Sequence, residues 1–172
     1  MVTLVYVSLV IIVVYLIGMF FKAGKDIPES ISSTYFTLSH KGIFGAVLII
    51  ASTLLLPRAL EITPDYLEFL PFLGVLGMWI VAFFPDTTKE DQIKFHMIGG
   101  IGGCAIFNVW TAFLGAWYIK IMWGLLIIGS VWLCKTDNIV LRDKIILHIK
   151  NHIIFWVEII TLLGLYGTIL IR

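Results

Sequence analysis

Glu158 is the residue whose chemistry is hardest to place, because it stands within the apolar run Phe155-Trp156-Val157-Glu158-Ile159-Ile160. An ionised carboxylate at membrane depth costs on the order of 2.5–3.5 kcal/mol on insertion scales, so such a group is kept neutral or given partners. His96, Asn108 and the hydroxyls of the stretch Ser30-Ile31-Ser32-Ser33-Thr34-Tyr35 are the candidates for that role. A protonated carboxyl bonded between helices would act as structural glue. A carboxylate that handles a proton or a ligand would make the same position a site. The binding pocket expected on the second reading is built from Ser32, Tyr35, Asp86, His96, Gly99, Gly103, Asn108 and Glu158.

A second chemistry is written in the histidines. His148 and His152 are spaced i, i+4, as two ligands on one helix face must be, and Asp86 and His96 would complete a four-coordinate zinc site with an activated water. The plain alternative is a pair of boundary histidines in a lysine-rich surface stretch. No cofactor is expected, with zinc as the alternative. Cys104 and Cys134 fall inside apolar runs without metal-ligand spacing and read as buried thiols.

Between these groups lies the segment from Phe83 to Gly103. Pro85 ends one apolar run, a charged loop follows, and His96 opens a glycine-rich helix. Gly99 and Gly103 form a GxxxG that lets a neighbouring helix approach closely, either in the same chain or in a homo-oligomer. The same missing side chains would alternatively leave a cavity below His96. Cys104, Asn108 and Thr111 continue a small, polar stripe from Gly100. The glycines follow a charged loop instead of a strand, so they are not a nucleotide-binding turn.

The elements that carry these residues are set by composition. Of 172 residues, 60% are hydrophobic and 13% charged, well above the apolar content of a soluble domain, and the net charge of +1 points to no nucleic-acid partner. The expected fold is all-α: one transmembrane domain over 1–172, a bundle of six helices spanning about 2–21, 42–60, 66–84, 96–115, 116–134 and 152–171. The first run starts at Met1 without a basic leader or small-residue cleavage site, so it reads as a retained span. Pro57 bends the second span, with the hydroxyls of Ser52 and Thr53 near the freed backbone. The hydroxyl-rich first loop suits a short interfacial helix capped near Ser30. The loop 135–151 reads equally as a surface helix or as an extension of the sixth span.

Nine of the twelve basic residues, Lys22, Lys25, Lys41, Lys89, Lys94, Lys135, Arg142, Lys144 and Lys150, fall in the first, third and fifth loops. The positive-inside rule then puts those loops in the cytoplasm and both termini outside, in a bacterial inner membrane whose lipids are the immediate partners. His40, Asp86, His96, His148 and His152 gather on the inner side, with Glu158 just below.

Phe84-Pro85-Asp86 followed by His96, with Ser30 to Tyr35 and Phe155-Trp156-Val157-Glu158, resembles small multi-span membrane proteins of gut Bacteroidetes and their phages. That resemblance implies no activity. His148-Ile149-Lys150-Asn151-His152 is similar to the HxxxH of the alkaline ceramidase and progestin-receptor membrane zinc hydrolases, although the chain has six expected spans instead of seven and lacks a Ser-xxx-His in its second. Three function classes follow: a module that binds or transports a small molecule, lipid or proton near the inner face; a zinc-dependent hydrolase of lipid amides or esters; and an oligomerising interaction protein, for instance a phage-encoded membrane factor.

Overall fold

A computed structural model describes residues 1–22, 28–134 and 139–172, with side chains described outside 129–152. The chain is helical, with no strand among the described residues: α1 (Val2–Lys22), α2 (Gly42–Glu61), α3 (Phe69–Phe83), α4 (Glu90–Phe113), α5 (Trp117–Cys134) and α6 (Ile139–Ile171), with 3-10 turns at Ser32–Thr37 and Asp65–Leu67. Four segments among the described residues are long and apolar enough to cross a membrane: Val2–Lys22, Gly42–Glu61, Asp65–Phe83 and Ile153–Ile171. α4 has the length at 24 residues, but its acidic first turn, its glycines, His96 and Asn108 dilute its apolar character.

Helix boundaries follow local chemistry. α4 starts at Glu90, six residues before the expected His96, because Lys89 is extended and Glu90 and Asp91 favour the positive end of the helix dipole. α3 is preceded by the Asp65–Leu67 turn that Pro64 opens from an extended conformation, so it begins later than the expected 66. α6 runs unbroken from Ile139, so residues 139–151 of the fifth loop extend the last helix, while 135–138 lie outside the described residues; from 139 to 163 there is neither glycine nor proline to stop it. α2 passes through Pro57 to Glu61. The hydroxyls of Ser52 and Thr53 bond the carbonyls of Leu48 and Ile49, both at 2.6 Å, one turn earlier than the carbonyl that the proline frees.

Each of α1 to α4 packs on the next, α6 closes back onto α4 and α1, and α5 lies outside this ring against α6 and α4. One end holds the main apolar core. It takes Val5 from the start of α1, Ala59 from the end of α2, Leu67 from just before α3, and Trp110 and Ile169 from the ends of α4 and α6. Successive helices therefore alternate in direction. The hydroxyl and indole groups buried in this half are paired, as hydrocarbon surroundings require, whereas the buried Arg58 Nε has no hydrogen-bond partner among the described residues. The Ser8 hydroxyl donates to the Ala51 carbonyl at 2.8 Å and meets the Tyr166 hydroxyl at 2.7 Å, and the Trp110 indole donates to Thr63 Oγ1 at 2.9 Å. At the same end Gly115, at φ 75°, turns α4 into α5, and the Arg172 guanidinium donates to the Leu114 carbonyl.

The tightest crossing is between α3 and α4. A Cβ on Gly77 would lie 2.8 Å from both the Gly103 Cα and the Gly99 carbonyl oxygen, and one on Gly99 would lie 2.8 Å from the Gly77 carbonyl oxygen. The close approach that Gly99 and Gly103 permit is thus made within the chain. Both glycines are buried against α3.

Candidate functional site

The half of the bundle opposite the main core is organised by the first loop. Its hydroxyls satisfy its own backbone. Ser33 N–H donates to Ser30 Oγ at 2.9 Å and Ser30 N–H to Ser33 Oγ at 3.2 Å, a reciprocal cap, while the Thr34 and Thr37 hydroxyls donate to the Ile31 and Thr34 carbonyls at 2.5 and 2.7 Å. A backbone satisfied in this way can leave water. Ile31, Thr34 and Tyr35 are buried, and the loop packs on α1 and α2. Because the Thr34 proton goes to Ile31, the Tyr15 hydroxyl at 2.5 Å is the donor of that pair and ties the loop to α1. Two bonds tie it to α6: Phe155 N–H to the Glu29 carbonyl at 3.2 Å, and Ile31 N–H to Glu158 Oε2 at 2.5 Å.

Two spaces meet beside that second bond. A cavity of about 90 Å³ lies inside the helix ring, walled by Tyr15, Phe44, Met78, Phe107 and the bare backbone of Gly99 and Gly103. A groove of about 750 Å³ runs between α4 and α6, bounded by Glu29, Ser30 and Ser33 of the loop, by His96, Met97, Ile101 and Asn108 of α4, by Trp123 of α5, and by Ile153, Ile154 and Val157 of α6. Ser32, Gly100, Cys104 and Glu158 line both. Gly100 keeps the junction open: a Cβ there would meet only a Val81 methyl, at 3.7 Å.

The predicted site residues divide accordingly. Ser32 and Glu158 stand at the junction, Gly99 and Gly103 border the cavity, and His96 and Asn108 border the groove. Tyr35 lines neither space. It is buried beneath the loop against Phe44 and Val81, with the Lys41 ammonium 5.0 Å over its ring. Asp86 lines neither space as well, since its Oδ1 is taken by the Thr88 hydroxyl at 2.6 Å and the Thr88 N–H at 3.2 Å, with Lys89 Nζ 3.5 Å from Oδ2. The Thr88 hydrogen bond holds this carboxyl below its ordinary range, and the charge serves the turn between α3 and α4.

Expected partnerships change too. His96 Nδ1 lies 2.9 Å from the Phe84 carbonyl, which can only accept, so Nδ1 carries the hydrogen and His96 pins the end of α3 to the start of α4. Glu158 bonds the loop backbone instead of His96. Asn108 joins three helices: its amide donates to the Cys104 carbonyl at 2.8 Å and to Thr161 Oγ1 at 2.9 Å, and its Oδ1 accepts from the Trp123 indole at 2.8 Å. Of the alternative zinc ligands, Asp86 and His96 are engaged as described, and His148 and His152 lie outside the described side chains. Among the described residues no three His, Cys, Asp or Glu side chains come together.

Glu29, Cys104 and Trp123 are site residues that sequence reasoning did not select. Cys104 lies one turn after Gly100, so the stripe already noted carried its signal. Trp123 carried none, since only the packing of α5 over Asn108 brings it there. No family model matches the chain, and neither a curated protein nor a solved structure matches it.

Proposed function

We propose that the chain is a bacterial inner-membrane protein of six spans with both termini outside, and that its cytoplasmic half binds a small apolar or amphiphilic molecule between α4 and α6. The concentration of basic residues in the first, third and fifth loops supports the orientation. The alternating helix directions are what six consecutive spans require. One observation carries the binding reading: the Glu158 carboxylate borders open space on two sides, with a largely apolar groove on one and a dry-walled cavity on the other. A carboxyl serving only as glue would be packed around by side chains. Concave, mostly apolar spaces with a few convergent polar groups are the usual form of small-molecule sites.

Native mass spectrometry of the protein released from neutral detergent tests this. The wild type should retain one small-molecule adduct per chain, and Gly100→Leu, whose Cβ would meet only a Val81 methyl at 3.7 Å, should lose it. A wild type that carries no adduct, or a Gly100→Leu protein that keeps it, would sink the reading.

A further inference from the structure

We infer that the groove and the cavity together take one acyl chain of a lipid from the cytoplasmic leaflet, threaded past Gly100 so that its methyl end lies among the cavity's side chains. This rests on the binding reading above and names the ligand class for that site. The size of the inner space excludes bulkier tails. An apolar cavity of roughly 150 Å³ takes up benzene, so one of about 90 Å³ suits the slender end of an alkyl chain and not a ring. Away from the junction, the side chains of its wall are hydrocarbon apart from Tyr15 and Thr161 among the described residues. The Tyr15 hydroxyl is turned to Thr34, and the Thr161 hydroxyl donates to the Val157 carbonyl and accepts from Asn108. An alkyl chain asks for no polar partner there, whereas a buried water needs about two to four.

Entrance and length point the same way. Met97 and Ile101 of α4 and Ile153 and Ile154 of α6 border the groove and are exposed. In a spanning bundle such residues face lipid tails, so the groove is continuous with the acyl layer and is entered sideways. Along α4 the path runs from His96 in the groove to Phe107 in the cavity wall, eleven residues on (96 to 107) and about 16 Å of helix. Half of a hydrocarbon core about 30 Å thick is about 15 Å. The two lengths agree, and Ile12, another cavity residue, stands halfway along α1, at the middle of the membrane. A chain whose ester lies at the inner face thus reaches the cavity with its last carbons.

The test uses the full-length protein in phosphatidylcholine nanodiscs doped with one of two photolipids, the first carrying a diazirine at the end of an acyl chain and the second beside its ester. Phe107 and Leu165 line the cavity and are 4% and 1% exposed, out of reach of the lipids that surround the bundle. The chain-end photolipid should label both residues, the ester-side photolipid should label neither, and Gly100→Leu should lose the label. The contrast between the two photolipids on the wild type carries the test if Gly100→Leu does not fold. Label on exposed positions alone, or equal label at Phe107 from both photolipids, overturns the acyl-chain assignment. Native mass spectrometry of the same sample separates that result from failure of the binding reading itself. An adduct of other than lipid mass keeps the reading and overturns the chain, and the absence of any adduct overturns both.

Discussion

Replacing Gly99 by alanine puts a methyl 2.8 Å from the Gly77 carbonyl oxygen and 2.9 Å from the Ile80 side chain. Backbone cannot swing aside as a flexible side chain can. To restore an ordinary contact near 3.4 Å, α3 and α4 must part by roughly 0.6 Å, which loosens their whole crossing. Overpacking of this kind costs about 1–3 kcal/mol. The better helix propensity of alanine offsets about 0.5–1 kcal/mol of it, which leaves a net loss of about 1–2 kcal/mol. Gly102 is the internal control, since a Cβ there meets nothing within 4 Å. Gly102→Ala should therefore stabilise by about 0.5–1 kcal/mol, and the two variants should differ by about 2 kcal/mol. Reversible unfolding in mixed micelles, followed by tryptophan fluorescence, measures the difference. Equal effects at the two positions would refute the α3–α4 packing. So would a Gly99→Ala protein that changes its oligomeric mass without changing its stability.

Glu158→Gln keeps an acceptor for the Ile31 N–H and should unfold with a near-normal thermal midpoint, whereas Glu158→Leu strands that donor and should lose about 1–3 kcal/mol; equal tolerance of the two in a thermal scan would remove the latch between loop and α6. For the orientation, a single cysteine at Glu90 in a background without native thiols should resist an impermeant maleimide in intact cells and one at Asp65 should react, the reverse pattern contradicting the cytoplasmic assignment of the inner half. Asp86 supplies a pH dependence. Its carboxyl is held below its ordinary value by Thr88, so its contribution is present above the unfolded carboxylate pKa and fades as pH falls through the lower folded value. Asp86→Asn should flatten that acid limb of stability, measured from about pH 5 to pH 3, and an unchanged limb would show that the turn does not depend on the charge.

The parts of this architecture that were legible beforehand are those with a local cause. Apolar runs of membrane length announced the helices, and the serine-rich segment announced a capped turn after α1. Gly99 and Gly103 announced a close helix approach, but a small-residue pattern carries no address, and only the structure supplies Gly77 as the facing residue. Glu158 was recognisable as a group in need of a partner. The partner was not, because a backbone N–H leaves no trace in residue identity and Ile31 is an unremarkable apolar residue. Tyr35 and Asp86 illustrate the converse. Their types suit a site, yet each is consumed locally, one in packing against Phe44 and the other in capping its own turn. The extra helical residues before His96 and before His152 follow charge and propensity, which continue past the point where hydropathy falls.

The most direct test of the binding site is photo-cross-linking in native membranes with an alkyl diazirine carried on a twelve-carbon chain, the labelled residues mapped by peptide mass spectrometry. A molecule that enters between α4 and α6 should place label on Cys104 and on the α6 peptide that contains Val157 and Glu158, and Gly100→Leu should remove it from both. Label confined to membrane-exposed positions such as Val10 and Val14 of α1, with none at Cys104 or Glu158, would contradict the account.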